Sequence, residues 1–282
     1  MFDFDGKRPS DIPITILDVE TTGLLPGMGH RVVELGAIRL ENWQVVGELN
    51  TLVNPHRKMD PQASAVNHIQ DADLVNKPSF HQVAEKLLAL ADGSLIVAHN
   101  AAFDANFLAM EFYISRYQAG SSSFPALPLP NPWLCTLEIA RSYFHFGRNN
   151  LGEVARQLGV RVDVTHRALH DVTTTAEILK RMLARLDKQR AGTVQDLLYA
   201  QGGPIYMPTL PDVVLPVPIE DALRNGRQLR ILYSSSGSDS DRLITPLYPT
   251  EYRGSTYLVA HCHLRQDQRT FRLDRIFSAI VV

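Results

Sequence analysis

The architecture turns on residues 12–20, IPITILDVE, which run straight into residues 21–27, TTGLLPG. The first segment is apolar and β-branched and reads as a strand; the second carries turn formers and ends it. Asp18 and Glu20 stand two apart, so the strand's period of two sends both carboxylates to one face at its C-terminal rim. Side by side they repel, and a divalent cation held between them is the simplest offset. In isolation such a pair reads equally as a solvated strand end. Residues 32–40 (VVELGAIRL) and 43–53 (WQVVGELNTLV) read as two more strands on short polar connections, an antiparallel meander with the first. Helical spacing over 79–90, with a Ser start and Gly93 beyond its end, precedes a short apolar strand at 95–98. A helix over about 103–117, a surface loop at 121–132, a short strand at 133–136 and helices over 137–146, 151–158 and 168–186 complete an α/β pattern. The expected fold is a mixed sheet covered by helices.

The chain has 282 residues, 45% hydrophobic and 21% charged, with a formal net charge of -2. That composition excludes disorder and fibres and allows one large domain or two unequal ones. No apolar run approaches the roughly 20 residues of a membrane helix, and MFDFDGKRPS carries acids where a signal peptide carries a basic stretch. A cytoplasmic protein without membrane partners is expected. Cys135 and Cys262 lack metal or redox spacing and are expected to be unbridged. Near-neutral charge leaves nucleic-acid binding to local patches or bound ions.

Two further acids complete a constellation. Asp104 follows the strand SLIVA in HNAAFD, where a strand hands over to a helix, and Asp171 lies in HRALHD near the start of a helix. Each alone reads as a helix-start acid favourable to the dipole. Together, four carboxylates on three elements converge at a sheet edge, and oxygen-only ligands point to magnesium or manganese rather than zinc. On a continuous helix His166 and Asp171 would stand about 140° apart. Placed in the loop before the helix, His166 can swing over the metal site while Asp171 stays fixed. An imidazole with an ordinary pKa of ~6.5 suits proton removal from an attacking water. His170 competes for that role, with a surface helix position as its other reading.

DVETTGL at Asp18, HNAAFDANFL at His99 and HRALHDVTTTAEIL at His166, in this order and spacing, resemble the three motifs of the DEDD exonuclease superfamily, histidine subtype, relatives of the polymerase III proofreading subunit. The likeness covers roughly residues 13–186 and takes in RVVELGAI and CTLEIAR. It implies a ribonuclease H-like fold and removal of nucleotides from a 3′ end of single-stranded nucleic acid, DNA favoured. By motif, Asp18, Glu20, Asp104 and Asp171 would hold two Mg2+ or Mn2+ ions, His166 would act as general base, and nucleoside 5′-monophosphates would leave. Thr21, Thr22, Gly23 and Leu24 would line the terminal nucleotide's slot, with Asn100 and Phe103 beside them; core packing is the other reading of Phe103. One departure is AVNHIQD, residues 65–71, where the family more often has a His-Gly-Ile turn.

Prolines recur in YAQGGPIYMPTLPDVVLPVP, so residues 191–218 read as an extended linker between an exonuclease domain, 1–190, and a C-terminal domain, 219–282. The latter opens with a helical pattern and continues as short strands around SSSGSDSD, residues 234–241, a hairpin loop. GRQLRILY, DRLITPLYP, STYLVAHC and RTFRLDRI resemble a WYL domain, which implies a small Sm- or SH3-like β-barrel; Thr256, Tyr257 and Leu258 stand where its naming tripeptide would be. The resemblance associates Arg242, Tyr257, Arg272 and Arg275 with a nucleic-acid or nucleotide effector, against the plain reading of ordinary strand residues. On one strand, Arg272 and Arg275 would face opposite sides. His261 and His263 share a face but lack a third ligand. The reading is a metal-dependent 3′–5′ exonuclease; its rivals are an RNA or short-oligonucleotide trimmer and a non-catalytic nucleic-acid-binding regulator.

Overall fold

Ile14–Thr21 forms β1, with Ile14 and Ile16 directed to one face and Leu17 and Val19 to the other, all buried. A strand apolar on both faces has to be covered twice, and this one lies at the centre of its sheet. The computed structural model describes residues 4–119, 128–162, 166–186, 192–235 and 238–282. Parts of the loops read at 121–132 and 234–241 lie outside the described residues. β2 (Val32–Glu41) and β3 (Gln44–Leu52) complete the antiparallel meander, with Glu20 opposite Glu34. Two short helices not foreseen in the sequence follow, α1 (Pro61–Asn67) and α2 (Asp71–Leu74). Their start signals are local: Asp60 accepts from the Gln62 N–H ahead of Pro61, and Gln70 and Asp73 form a capping box. His68 closes α1 at φ 59°, in the left-handed region, where the related turn more often has Gly.

α3 (Phe80–Ala91) starts on the Ser79 capping box and leads into β4 (Leu95–Ala98), parallel to β1. α4 (Ala101–Ala119), β5 (Trp133–Cys135), α5 (Thr136–Tyr143), α6 (Leu151–Leu158) and α7 (Ala168–Arg185) follow. The sheet order is β3-β2-β1-β4-β5, a mixed five-stranded sheet. On one face Leu17, Val19 and Leu35 pack against Phe80 and Leu87 of α3 and Phe107 and Phe112 of α4. On the other, Ile14, Ile16 and Ile38 meet Ile139, Val154, Leu158, Val172 and Leu179 from α5, α6 and α7.

The stretch read as a linker is only partly extended. α8 (Val194–Ala200) opens it, capped by Thr193 and Asp196, and buries Val194 and Leu197 in the second core. The Trp133 N–H donates to Ile205 O at 2.8 Å and Met207 is buried in the first core, so this part of the chain completes the nuclease layer. The Thr193-x-x-Asp196 signature was legible; the density of Gly and Pro after it masked it.

α9 (Val217–Asn225) then packs on a second sheet, β6 (Leu229–Ser235), β7 (Ser238–Tyr252), β8 (Ser255–Cys262), β9 (Asp267–Arg272) and β10 (Ile276–Val281). All pairings are antiparallel and the order is β10-β6-β7-β8-β9, a meander whose last strand returns to the first across a 3-10 turn, Leu273–Arg275. The C-terminal region thus holds a separate five-stranded antiparallel sheet. Pro246 is tolerated in β7 because the register shifts there, between Pro246 and Tyr248. Cys135 and Cys262 are both free and buried. Among the described residues no helix is long and apolar enough to cross a membrane.

Candidate active site and metal centre

Asp18 and Glu20 continue the Ile14/Ile16 face of β1 past the core, which brings them under the N-terminus of α7. Asp171 lies in the first turn of that helix, buried, and Asp104 lies, also buried, in the first turn of α4. The backbone N–H of Val19, between the two strand acids, donates to Asp104 Oδ1 at 3.1 Å. His166 precedes α7, as its alternative loop placement required: it is exposed, its φ is 61°, and its backbone N–H donates to Asp171 Oδ2 at 3.1 Å. One ligand atom each from Glu20, His166 and Asp171 lie within 4.8 Å of one another.

The electrostatics of these groups is strained in one direction. Burial raises the Asp18 carboxyl well above the ordinary range, and the charges of Asp104, Glu20, Asp171 and Glu34 add to it. Glu20 is pushed up to about 8, again by burial first and then by Asp171 and Glu34. Asp104 and Asp171 are raised by burial too, with the Val19 and His166 amides opposing the shift. Asp171 Oδ1 is buried with no hydrogen-bond partner. Mutually repelling buried acids and an orphaned carboxylate oxygen fit hard divalent cations, whose charge reverses every one of these shifts.

Supporting residues hold this geometry. Glu34, buried opposite Glu20, accepts from Arg167 Nη2 at 3.0 Å and from the Ala168 N–H at 3.2 Å, pinning the start of α7. Gly36 lets α7 come that close: a Cβ there would lie 2.5 Å from the Ala168 carbonyl carbon. Arg31 and Glu111 form a buried two-pronged pair at 2.8 Å for each bond, and the Val32 N–H donates to the same carboxylate at 2.9 Å. Arg31 and Thr22 in turn exchange backbone and hydroxyl bonds. Asn67 donates to Thr21 O at 3.2 Å. Sequence reasoning missed Glu34, Arg31, Glu111 and Asn67 as site-builders, although RVVELGAI and AVNHIQD had been singled out; one acid in an apolar strand was the available signal for Glu34.

The expected nucleotide slot is partly inward-facing. Thr21 and Thr22 are buried: the Thr21 hydroxyl donates to Gly23 O at 2.7 Å and Thr22 Oγ1 accepts from the Arg31 N–H at 3.0 Å, so both brace the loop. Gly23 lies against the His30 ring. Leu24 projects, 76% exposed. Phe103, half-buried, pairs with Phe107 at 4.8 Å between ring centroids, and Asn100, exposed at φ 72°, accepts from the Phe103 N–H at 2.8 Å. His99 of the same motif is structural, bonded to Thr136 and to Asn149 O at 2.9 Å.

The exonuclease family profile matches residues 15–179, a span that holds all four acids and His166. The chain belongs to the exonuclease family. A WYL domain profile matches residues 217–281 of the same exonuclease. Among its relatives, DNA polymerase III subunit epsilon of Treponema pallidum is 33% identical over 186 residues, 65% of this chain and 82% of that one. DNA polymerase III PolC-type of Thermotoga maritima is 33% identical over 184 residues, 65% of this chain but 13% of that protein, so the exonuclease spans a small part of it. In structure the exonuclease is similar to exonuclease X in complex with 5′ overhanging duplex DNA, TM-score 0.50 at 26% identity over 67% of this chain and 99% of that one. Exonuclease I shares the fold at 18% identity, TM-score 0.55, over 88% of this chain and 55% of that one. The family implies divalent metal ions, and Glu20, His166 and Asp171 are a group that could hold one.

In the exonuclease's C-terminal sheet Tyr257 stands directly opposite Arg272. Arg242 lies towards the other end of β7, opposite Ile231, whereas Tyr257 pairs with Thr250 near its end. Arg275 is not on a strand but in the 3-10 turn after β9, so the opposite-sides expectation does not apply to it: the strand ends at Arg272, whose guanidinium bonds Asp274 at 2.7 Å. His261 and His263 stack edge to face, and His263 bonds Thr245 at 2.8 Å.

Proposed function

We propose that the chain is a metal-dependent 3′–5′ exonuclease that shortens single-stranded nucleic acid, DNA in preference to RNA, and releases nucleoside 5′-monophosphates. The observation that carries this reading is the approach of Glu20, His166 and Asp171 ligand atoms to within 4.8 Å beside Asp18 and Asp104. Two Mg2+ or Mn2+ ions held by Asp18, Glu20, Asp104 and Asp171 would supply the Lewis acidity that polarises the phosphodiester and neutralises the leaving oxygen. His166, exposed and with its backbone N–H bonded to Asp171, would turn its ring over the centre and take the proton of the attacking water. Leu24, with Phe103 and Asn100, forms the wall against which the terminal nucleotide lies, and the braced Thr21–Gly23 backbone offers its polar groups to sugar or phosphate. Polymerase III epsilon relatives and the DNA-bound exonuclease X support DNA as substrate.

We assign residues 1–190, together with the part of 191–218 that packs into their cores, to the nuclease and 219–282 to a nucleic-acid- or nucleotide-responsive domain, with the cytoplasm as the place of action. The cross-strand register of Tyr257 and Arg272, which puts the two side chains on one face of the sheet, supports the responsive role. The test is a 5′-labelled single-stranded oligonucleotide incubated with magnesium or manganese. Stepwise shortening from the 3′ end, abolished in Asp18→Ala, is expected. Intact oligonucleotide under both metals, with Asp18→Ala identical to the parent, rules the reading out.

A further inference from the structure

The C-terminal domain is seated on the loop that follows the TTG motif. Thr270 donates to Met28 O at 3.0 Å, Gln268 donates to Gly29 O at 3.1 Å, and Gly27 approaches so closely that a Cβ there would lie 2.9 Å from Glu251 O. Met110, Tyr113 and Ile114 of α4 pack against the buried Tyr248 and Val259. The turn joining β7 to β8 is thereby fixed beside α4 and the Leu24–Gly27 loop, with the Arg253 guanidinium 5.3 Å from the centre of the Tyr252 ring.

Between that turn and α4 lies a cavity of about 330 Å³ whose walls include Leu24, Leu25, Phe103, Met110 and Tyr252. None of the four acids lines it. Leu24 and Phe103 are shared with the terminal-nucleotide wall, which makes the cavity continuous with the substrate path. Its lining is mainly apolar and aromatic, with Asn106 and Glu251 as the polar residues. A second cavity, of about 280 Å³, shares Met110, Leu210, Glu251 and Tyr252 with the first and adds Arg253 and Thr250; Thr250 is 2% exposed and its Oγ1 is buried without a hydrogen-bond partner.

We propose that Tyr252, from the C-terminal domain, is a base-stacking residue of the exonuclease: it takes the base immediately 5′ of the terminal nucleotide, with Leu24 separating the two bases and Arg253 lying near the following phosphate. This rests on the 3′-exonuclease reading of the metal centre. It makes the second domain part of the substrate site. Sequence-tolerant stacking of this kind suits an enzyme that must accept every base in turn.

The test is fluorescence anisotropy of a labelled oligothymidylate of about eight nucleotides, with Ca2+ present to hold the complex without turnover, on full-length parent, Tyr252→Ala and Tyr252→Phe proteins of equal thermal stability. Tyr252→Ala is expected to weaken Kd about 5- to 150-fold, the range for loss of one stacked base, and Tyr252→Phe to stay within about twofold of the parent. An unchanged Kd in Tyr252→Ala, or an equal loss in both variants, overturns the proposal. Hydrolysis of the p-nitrophenyl ester of thymidine 5′-monophosphate by the parent tests the nuclease reading separately, since that ester has no second base. A parent that hydrolyses neither ester nor oligonucleotide, while Tyr252→Ala still loses oligonucleotide binding, sinks the nuclease reading and leaves the stacking site standing.

Discussion

A carboxyl group held near pKa 8, as Glu20 is, destabilises the native state whenever it is ionised. In chelator, the native protein keeps a proton on Glu20 that the unfolded chain has released near 4.5, so stability falls as pH rises from about 4.5 to about 8. Thermal melts in EDTA across that window are expected to show a decline that is shallower in Glu20→Gln, and added Mn2+ is expected to raise the melting temperature most at the alkaline end. Asp18, raised by burial and by four neighbouring acids, follows the same logic. Asp18→Asn is expected to stabilise the metal-free protein by about 0.5–2 kcal/mol while lowering exonuclease turnover at least ~10²-fold, read by denaturant titration and by oligonucleotide shortening. These acids are held against their own repulsion, which fits a role in binding rather than in folding.

At the scale of elements, the start of α7 is the decisive piece, because it delivers Asp171 and aims His166. Glu34 ties Arg167 and the Ala168 N–H to β2, and Gly36 removes the side chain that would hold the helix away. Glu34→Gln is expected to lower turnover about 10- to 100-fold through loss of positioning, as outer-sphere partners of metal ligands do, with weaker Mn2+ binding by titration calorimetry. Gly36→Ala forces the backbones apart at 2.5 Å and is expected to cost about 1–3 kcal/mol together with most of the activity, measured on the same protein preparation. The elements themselves were largely legible in the sequence, because period two in β1, the Ser79 start and Gly93 just past the end of that helix are local signals. α1, α2 and α8 escaped because short capped helices carry too few turns to show a period against the surrounding Pro, Gly and Asn.

For the whole molecule, the C-terminal sheet covers apolar surface on α4 and the connecting stretch belongs partly to the nuclease. A chain ending at Leu198 loses Gln201, which bonds the Trp133 carbonyl and the Cys135 N–H, and the buried Met207. It is expected to melt several degrees below a chain ending at Leu215, since about 1 kcal/mol shifts a domain of this size by roughly 2–4 °C. Both truncations uncover Met110, Tyr113 and Ile114 and are expected to self-associate more than the full chain, as read by light scattering. By itself the sequence determined the α/β class, the trio of acidic motifs, the loop position open to His166 and the all-β tail, because each is written in local periodicity or in ordered motifs. Only the tertiary structure decided that Glu34, Arg31, Glu111 and Asn67 brace the centre, and that Tyr252 lines one cavity with Leu24 and Phe103. Those contacts join residues far apart along the chain, and no local pattern encodes which distant surfaces meet when two apolar faces are buried together.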